Sequence, residues 1–149
     1  MTRVLFVCLG NICRSPMAHG IFQAAVAARG LADQFEVDSA GTAAYHTGEP
    51  PDPRTLAVLR DHDVPLATFA RQVTDEDFEA FDLILAMDRS NHRNLLSRCP
   101  QRHQHKVRMM LEPTGGGEVG DPYYGGGEGF QVNYREITEA SEAWLDQLT

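Results

Sequence analysis

The sequence has little with which to build a membrane anchor, a disulfide scaffold or a polyanion-binding surface. No run of about 18 apolar residues, the length a bilayer-spanning helix needs, occurs in its 149 residues. The apolar stretch 4–9 near the start is too short for a signal-peptide core, so a cytoplasmic location is expected. Cysteine is scarce, with only Cys8, Cys13 and Cys99. Three thiols make no disulfide framework in a chain of this size, and their reactivity is the better guide to their use. Positive charge is short as well: 13 Lys and Arg stand against 21 Asp and Glu, a formal net charge of −8. That balance disfavours nucleic acid and anionic membranes as main partners. It leaves a small anionic group open, because screening beyond about 8–10 Å lets the local field decide. There is no internal repeat or interdomain linker, and residues 1–149 are expected to form one domain with a real hydrophobic core. His62, His92, His103 and His105 show no metal-ligand spacing and read as surface residues; neither a metal nor another cofactor is expected.

What the sequence does have is concentrated at Cys8-Leu9-Gly10-Asn11-Ile12-Cys13-Arg14-Ser15, directly after the apolar run 4–7. If a buried strand ends at Cys8 and a helix opens near Arg14, the loop between folds back with its N–H groups inward, as anion-binding nests and helix N-termini do. Arg14 adds a planar fork suited to two phosphate oxygens. The same positive field favours the thiolate form of Cys8, which makes it a nucleophile. Taken alone, the pair is a weak signal, and Cys8 reads more readily as a strand-ending hydrophobe and Arg14 as a solvated charge. The context argues for the cradle: Gly10 and Asn11 are the residues best able to take positive φ in a tight loop, and Pro16 sits near a helix start.

Apolar residues at Met17, Ile21, Phe22, Ala25 and Ala28 predict a helix over 14–29, ended by Gly30. A strand follows at 35–39, then a Gly/Pro-rich stretch over 41–53 and a helix over 54–62. Short strand character returns over 67–73, Thr74 to Asp77 caps a brief helix through Phe81, and 82–87 reads as a nearly continuous apolar strand. A helix over 88–97, a last strand over 106–111 and a long loop over 112–129 come next. From Phe130 a stripe of Tyr134, Ile137, Ser141, Trp144, Leu145 and Leu148 predicts a C-terminal helix packed on the sheet. The alternation implies an α/β fold: a single-domain, open, mostly parallel sheet covered on both faces, with a phosphate-binding loop after the first strand. Ligands in such sheets bind beyond the C-terminal strand ends, where Cys8 and the loops after Ser39, Met87 and Leu111 are expected to meet.

The segment from Val7 through Cys8, Arg14, Ser15 and Pro16 to Ala18 resembles the phosphate-binding loop of the low-molecular-weight protein tyrosine phosphatases. The resemblance continues through Asp38-Ser39-Ala40-Gly41, Pro51-Asp52-Pro53-Arg54, Ala70-Arg71-Gln72, the 82–87 strand followed by Asp88, and Asp121-Pro122-Tyr123-Tyr124-Gly125, in the family's order. It implies a four-stranded sheet and a metal-independent phosphatase in which Cys8 is nucleophile, Arg14 binds phosphate and Asp121 is general acid and base. By itself Asp121-Pro122 is an ordinary turn opener. The resemblance also implies that Asn11, Ser15 and Ser39 form a network supporting the loop, with Ser15 donating to the Cys8 sulfur. One arm of that network is in doubt, because some relatives carry a His where this chain has Thr68. Substrate contacts fall to Leu9, Gly10, Asn11, Ile12, Cys13 and Ser15, and to Tyr45, Tyr123 and Tyr124; Tyr45 stands where many relatives carry Trp. The implied partner is a phosphotyrosine protein or small aryl phosphate, with no nucleic acid and no membrane insertion, acted on by a monomer or weak dimer. Three alternatives stay open. A protein arginine phosphatase is one, against which Ile12 leans because such relatives tend to carry Thr there. An arsenate reductase is another, whose relay cysteines are missing near Met87. The third is a non-catalytic phosphopeptide-binding module. A Cys8–Cys13 disulfide that protects the nucleophile is a further expectation.

Overall fold

The structure is a computed structural model and describes residues 1–125 and 128–149; two residues of the loop expected over 112–129, 126 and 127, lie outside them. Strands β1 (Thr2–Cys8), β2 (Phe35–Gly41), β3 (Leu83–Ala86) and β4 (Val107–Met109) form one sheet in the order β2-β1-β3-β4, every pairing parallel. The central strand β1 alternates perfectly. Val4, Phe6 and Cys8 join one apolar cluster, Leu5 and Val7 the other. Both faces are therefore covered, and that is why the run is continuously apolar rather than alternating with polar residues.

The first face receives α1 (Arg14–Ala28), α2 (Pro53–Asp61) and α5 (Glu128–Leu148). Residues 14–22 of α1 are all buried, so the polar Arg14, Ser15 and His19 are enclosed and need partners. Trp144 of α5 is 1% exposed and its Nε1 donates to the Met110 carbonyl at 2.8 Å, which anchors the helix to the end of β4. The opposite face is covered by α3 (Asp75–Ala80) and α4 (Arg89–Arg98) through Phe78, Leu95 and Cys99. Both of these helices open with a capping box, Thr74 with Asp77 and Asp88 with Asn91.

Two expectations are corrected. Residues 67–73 are not a strand: they have no regular secondary structure and contribute one bridge, Gln72 to Gly41 at the end of β2. Their backbone groups are spent on loops instead. Ala70 exchanges bonds with Glu49 and Gly48, the Arg71 carbonyl accepts from Gly41, and the Arg71 amide donates to the Asn11 side chain. The last strand is three residues rather than six, because Met110 and Leu111 turn away into a 3-10 segment over Glu112–Thr114. Short 3-10 segments also stand at Ala32–Gln34 and Gln101–Lys106. Of the histidines read as surface residues, His62 and His105 are exposed, whereas His103 is half-buried with its Nε2 enclosed.

Candidate active site

All four strands point the same way, so Cys8, Gly41, Ala86 and Met109 bring their following loops to one edge. There the loop from Leu9 to Cys13 connects β1 to α1. Its carbonyls are tied outward: Cys8 O, Leu9 O, Ile12 O and Cys13 O accept from the amides of Thr42, Ala43, Asp52 and Met17. Among the described residues, the amides of 9–13 donate to no carbonyl, and the N-cap of α1, Cys13, makes no side-chain capping bond. The loop thus carries a run of unspent donors at a helix N-terminus, the arrangement that accepts a tetrahedral anion.

Asn11 takes φ 58° and is 2% exposed. Its left-handed backbone is held from both ends of the amide side chain: Nδ2 donates to Ser15 Oγ at 2.8 Å, and Oδ1 accepts from the Arg71 amide at 3.0 Å. Gly10, by contrast, is not in the positive-φ region. Its requirement is space, since a Cβ there would lie 2.9 Å from the ring of His46. Gly41 is constrained in the same way, with Leu9 O at 2.7 Å from a Cβ position, so the end of β2 lies against the loop backbone.

Cys8 is buried at the loop's base, its Sγ 3.0 Å from Ser15 Oγ, which also reaches the Ala40 carbonyl at 3.3 Å. Arg14 is 2% exposed and is held by Asp88: Nη1 donates to Asp88 Oδ2 at 2.7 Å and to Val119 O at 2.9 Å. The other oxygen of Asp88 caps α4 by accepting from Asn91 N, so one carboxylate fixes both the helix start and the guanidinium. Burial alone would pull the Arg14 guanidinium down, but Cys8, Asp88 and Asp121 outweigh it and the net shift is upward. Asp121 brings Oδ2 to 3.8 Å from Arg14 Nη2, and its Oδ1 accepts from the Tyr123 amide at 3.0 Å. Cys13 is a thiol of another kind. Burial first, then Asp52 and Cys8, pushes it up to about 12.

Cys8, Arg14 and Asp121 share one cleft with Leu9, Gly10, Ile12, Cys13, Tyr45, Tyr123 and Tyr124. Tyr45 and Tyr124 are well exposed at its mouth, and Tyr124 stands edge-on to Tyr123 with ring centres 4.9 Å apart. Asn11 and Ser15 lie behind the loop rather than in the cleft. Ser39 does not join them: its Oγ pairs with His19 Nδ1 at 3.1 Å, and the support of Asn11 comes from Arg71 instead. Among the described residues no group of three or more His, Cys, Asp or Glu side chains converges in a way that could hold a metal. Cys99 packs in the cluster on the far side of the sheet from Cys8.

Four residues of this region were not singled out from the sequence: His19, His46, Arg54 and, as the partner of Arg14, Asp88. Asp88 carried a signal, an Asp directly before a helical segment. Burial lowers His19 against a partial opposing effect from Asp38. A histidine with a depressed folded pKa is neutral in the folded chain while the unfolded chain takes up a proton. Its contribution to stability is present in full above the ordinary value of 6.5 and is lost progressively as pH falls from there through the lower folded value. Melting temperature measured from pH 7.5 to 5 should therefore fall less steeply in His19→Gln than in the wild type; equal slopes would show that His19 is not among the groups responsible.

Together these features define the class, a doubly wound α/β protein with a thiol set beneath an open, amide-lined loop. A sequence model described as low molecular weight phosphotyrosine protein phosphatase matches residues 3–149. A protein of that name from Schizosaccharomyces pombe is 45% identical over 150 residues, covering 98% of this chain and 96% of the relative. A protein tyrosine phosphatase from Entamoeba histolytica, crystallised with Hepes in the active site, superposes with a TM-score of 0.96 at 38% identity and covers 99% and 97% of the two chains. A drosophila arginine phosphatase superposes with a TM-score of 0.93 at 33% identity, covering 100% and 98%. The chain belongs to the low molecular weight phosphotyrosine protein phosphatase family, a family of enzymes.

Proposed function

We propose that the chain hydrolyses phosphotyrosine and aryl phosphates through a phosphocysteine on Cys8. The observation that carries this reading is the convergence, on one cleft, of a sulfur held at 3.0 Å by Ser15, the Arg14 guanidinium and the Asp121 carboxylate beneath unspent loop amides. The Cys8 thiolate attacks phosphorus, the bond from phosphorus to the phenolic oxygen breaks, and that oxygen takes the proton of Asp121 as it leaves. Asp121, now a carboxylate, takes a proton from water as the water attacks phosphorus; the S–P bond breaks and Cys8 is a thiolate again. Arg14 and the loop amides hold the three peripheral oxygens in both steps. Leu9, Ile12, Tyr45, Tyr123 and Tyr124 form the apolar wall that receives the aromatic leaving group, with the phosphotyrosine-bearing protein reaching the site from the exposed Tyr45 and Tyr124 side.

Acid quenching of the enzyme during turnover of an aryl phosphate, followed by peptide mass mapping, should find a phosphoryl group on the peptide containing Cys8. Asp121→Ala should lower kcat about 10²–10⁴-fold, the usual worth of a positioned acid, and least for good leaving groups. A phosphoenzyme mapped elsewhere, or full activity in the Asp121 variant, rejects the mechanism. Phosphoarginine is the second reading, favoured by the likeness to the drosophila arginine phosphatase; comparison of kcat/KM on phosphotyrosine and phosphoarginine decides between them. Arsenate reduction has less support, since the thiol it needs as a relay is absent at the buried Met87, and Cys99 lies across the sheet.

Peroxide is expected to oxidise Cys8 to a sulfenic acid; the Cys13 sulfur then attacks the Cys8 sulfur, the S–O bond breaks, and the hydroxyl leaves as water with the Cys13 thiol proton, forming a disulfide. Because Cys13 is held as a thiol, with its pKa pushed up to about 12, bridging should be slow at neutral pH and faster in alkali. Mass mapping after peroxide checks this, and irreversible loss of activity without a bridge would exclude it.

A further inference from the structure

We propose that Arg54 is a positioning residue for Asp121, a clasp that links the phosphate-binding loop to the proton donor; the proposal rests on reading Asp121 as that donor. Asp52 is the fixed end. Its amide donates to the Ile12 carbonyl at 2.8 Å, its carboxylate is 8% exposed and caps α2 by accepting from the Arg54 amide, and the same carboxylate accepts from Arg54 Nε and Nη2 at 3.0 Å each. That two-point contact fixes the plane of the guanidinium.

The flat ion then meets two rings. Its central carbon lies 5.5 Å from the centre of Tyr123 and 4.6 Å from that of Phe130, in cation–π range of both. Tyr123 is the far end of the clasp, because its amide is the donor that Asp121 Oδ1 accepts at 3.0 Å. The path from Ile12 through Asp52, Arg54 and Tyr123 to Asp121 is continuous. The Asp121 side chain is 40% exposed, and among the described residues its other charged partner, Arg14 at 3.8 Å, is too far for a hydrogen bond. Without the clasp, little aims it at the cleft rather than at water.

Stability does not explain the arrangement. The Arg54 side chain is 42% exposed, and an ion pair that open to solvent adds little to folding. What the guanidinium supplies is a flat face at fixed orientation, which a lysine ammonium does not provide.

The test is a series of aryl phosphates from p-nitrophenyl to phenyl, turned over by the wild type, Arg54→Ala, Arg54→Lys, Tyr123→Leu, Asp121→Ala and the double variant of Arg54→Ala with Asp121→Ala. A misplaced acid costs most where the leaving oxygen most needs a proton. Both Arg54 variants should lose about tenfold in kcat on phenyl phosphate and less than about threefold on p-nitrophenyl phosphate, with KM nearly unchanged. Arg54→Ala should add nothing in the Asp121→Ala background. Equal losses on all substrates, or losses that add in the double variant, would overturn the proposal, since Arg54 would then act on folding or binding. Tyr123→Leu breaks the same contact from the other side and leaves the Asp52–Arg54 pair intact, so it carries the test should Arg54→Ala fold poorly. If Asp121→Ala itself shows no dependence on the leaving group, the assignment of Asp121 falls and the clasp with it. If it shows that dependence and the Arg54 variants do not, only the clasp falls.

Discussion

Cys8→Ser should abolish turnover while leaving inorganic phosphate bound as tightly as before. The two halves of that expectation have separate causes. Phosphate affinity comes from the loop amides and Arg14, none of which the substitution touches, and serine is close enough in size for a site where Cys8 is 3% exposed. Turnover needs a nucleophile that is an anion at the moment of attack, and an alcohol in the same place lacks the acidity to become one. Ser15 Oγ at 3.0 Å is equipped to stabilise a sulfur anion but is no base that could activate a hydroxyl. Loss of the nucleophile is expected to lower kcat on the order of 10⁶-fold, the scale found when an enzyme loses its attacking group. Steady-state assay on p-nitrophenyl phosphate together with calorimetric titration of phosphate separates the two effects. Retention of even a few per cent of activity would remove Cys8 from the mechanism, and loss of phosphate binding would show that the sulfur shapes the cradle.

Arg14→Lys carries the second largest expected effect. The guanidinium uses one nitrogen on Asp88 and Val119 at 2.7 and 2.9 Å, and turns the other toward Asp121 at 3.8 Å. A planar fork can do this and still face a phosphoryl group, whereas an ammonium on a flexible stem is drawn to the carboxylate of Asp88 and leaves the oxygens uncovered. The expected loss in kcat/KM is about 10³–10⁵-fold, the worth of an arginine that neutralises charge on a transferring phosphoryl group. Kinetics with the same aryl phosphates and a binding titration with phosphate check it. A lysine variant within tenfold of the wild type would mean that the site needs a positive charge there and not a fork.

Much of the fold and the centre of the site were legible because they are written in local patterns. The continuous apolar β1, the helical spacing of α1 and the capping residues of α3 are each decided within a few residues of one another. The misreadings have one physical origin, partners that are distant in sequence. Residues 67–73 have strand-like composition, but their backbone groups are taken by loops 20 to 60 positions away, and nothing local announces it. Ser39 looked like support for Asn11 until His19, on the adjoining helix, took its hydroxyl. Gly10 was read for its dihedral freedom, whereas the fold uses its lack of a side chain against His46. Arg54 could be read only as part of a family block; the rings it touches belong to segments roughly 70 positions further on.

The strand that ends in the thiol is the second in the sheet, flanked by β2 and β3, while the groups that hold Arg14 arrive 74 and 105 positions after it. During synthesis Cys8 and Arg14 emerge long before Asp88 and Val119, so the guanidinium beside the sulfur stays without the groups that hold it until those distant segments have been made. Appearance of activity is therefore a late event in the life of each molecule, a reporter of finished folding rather than of its first stages.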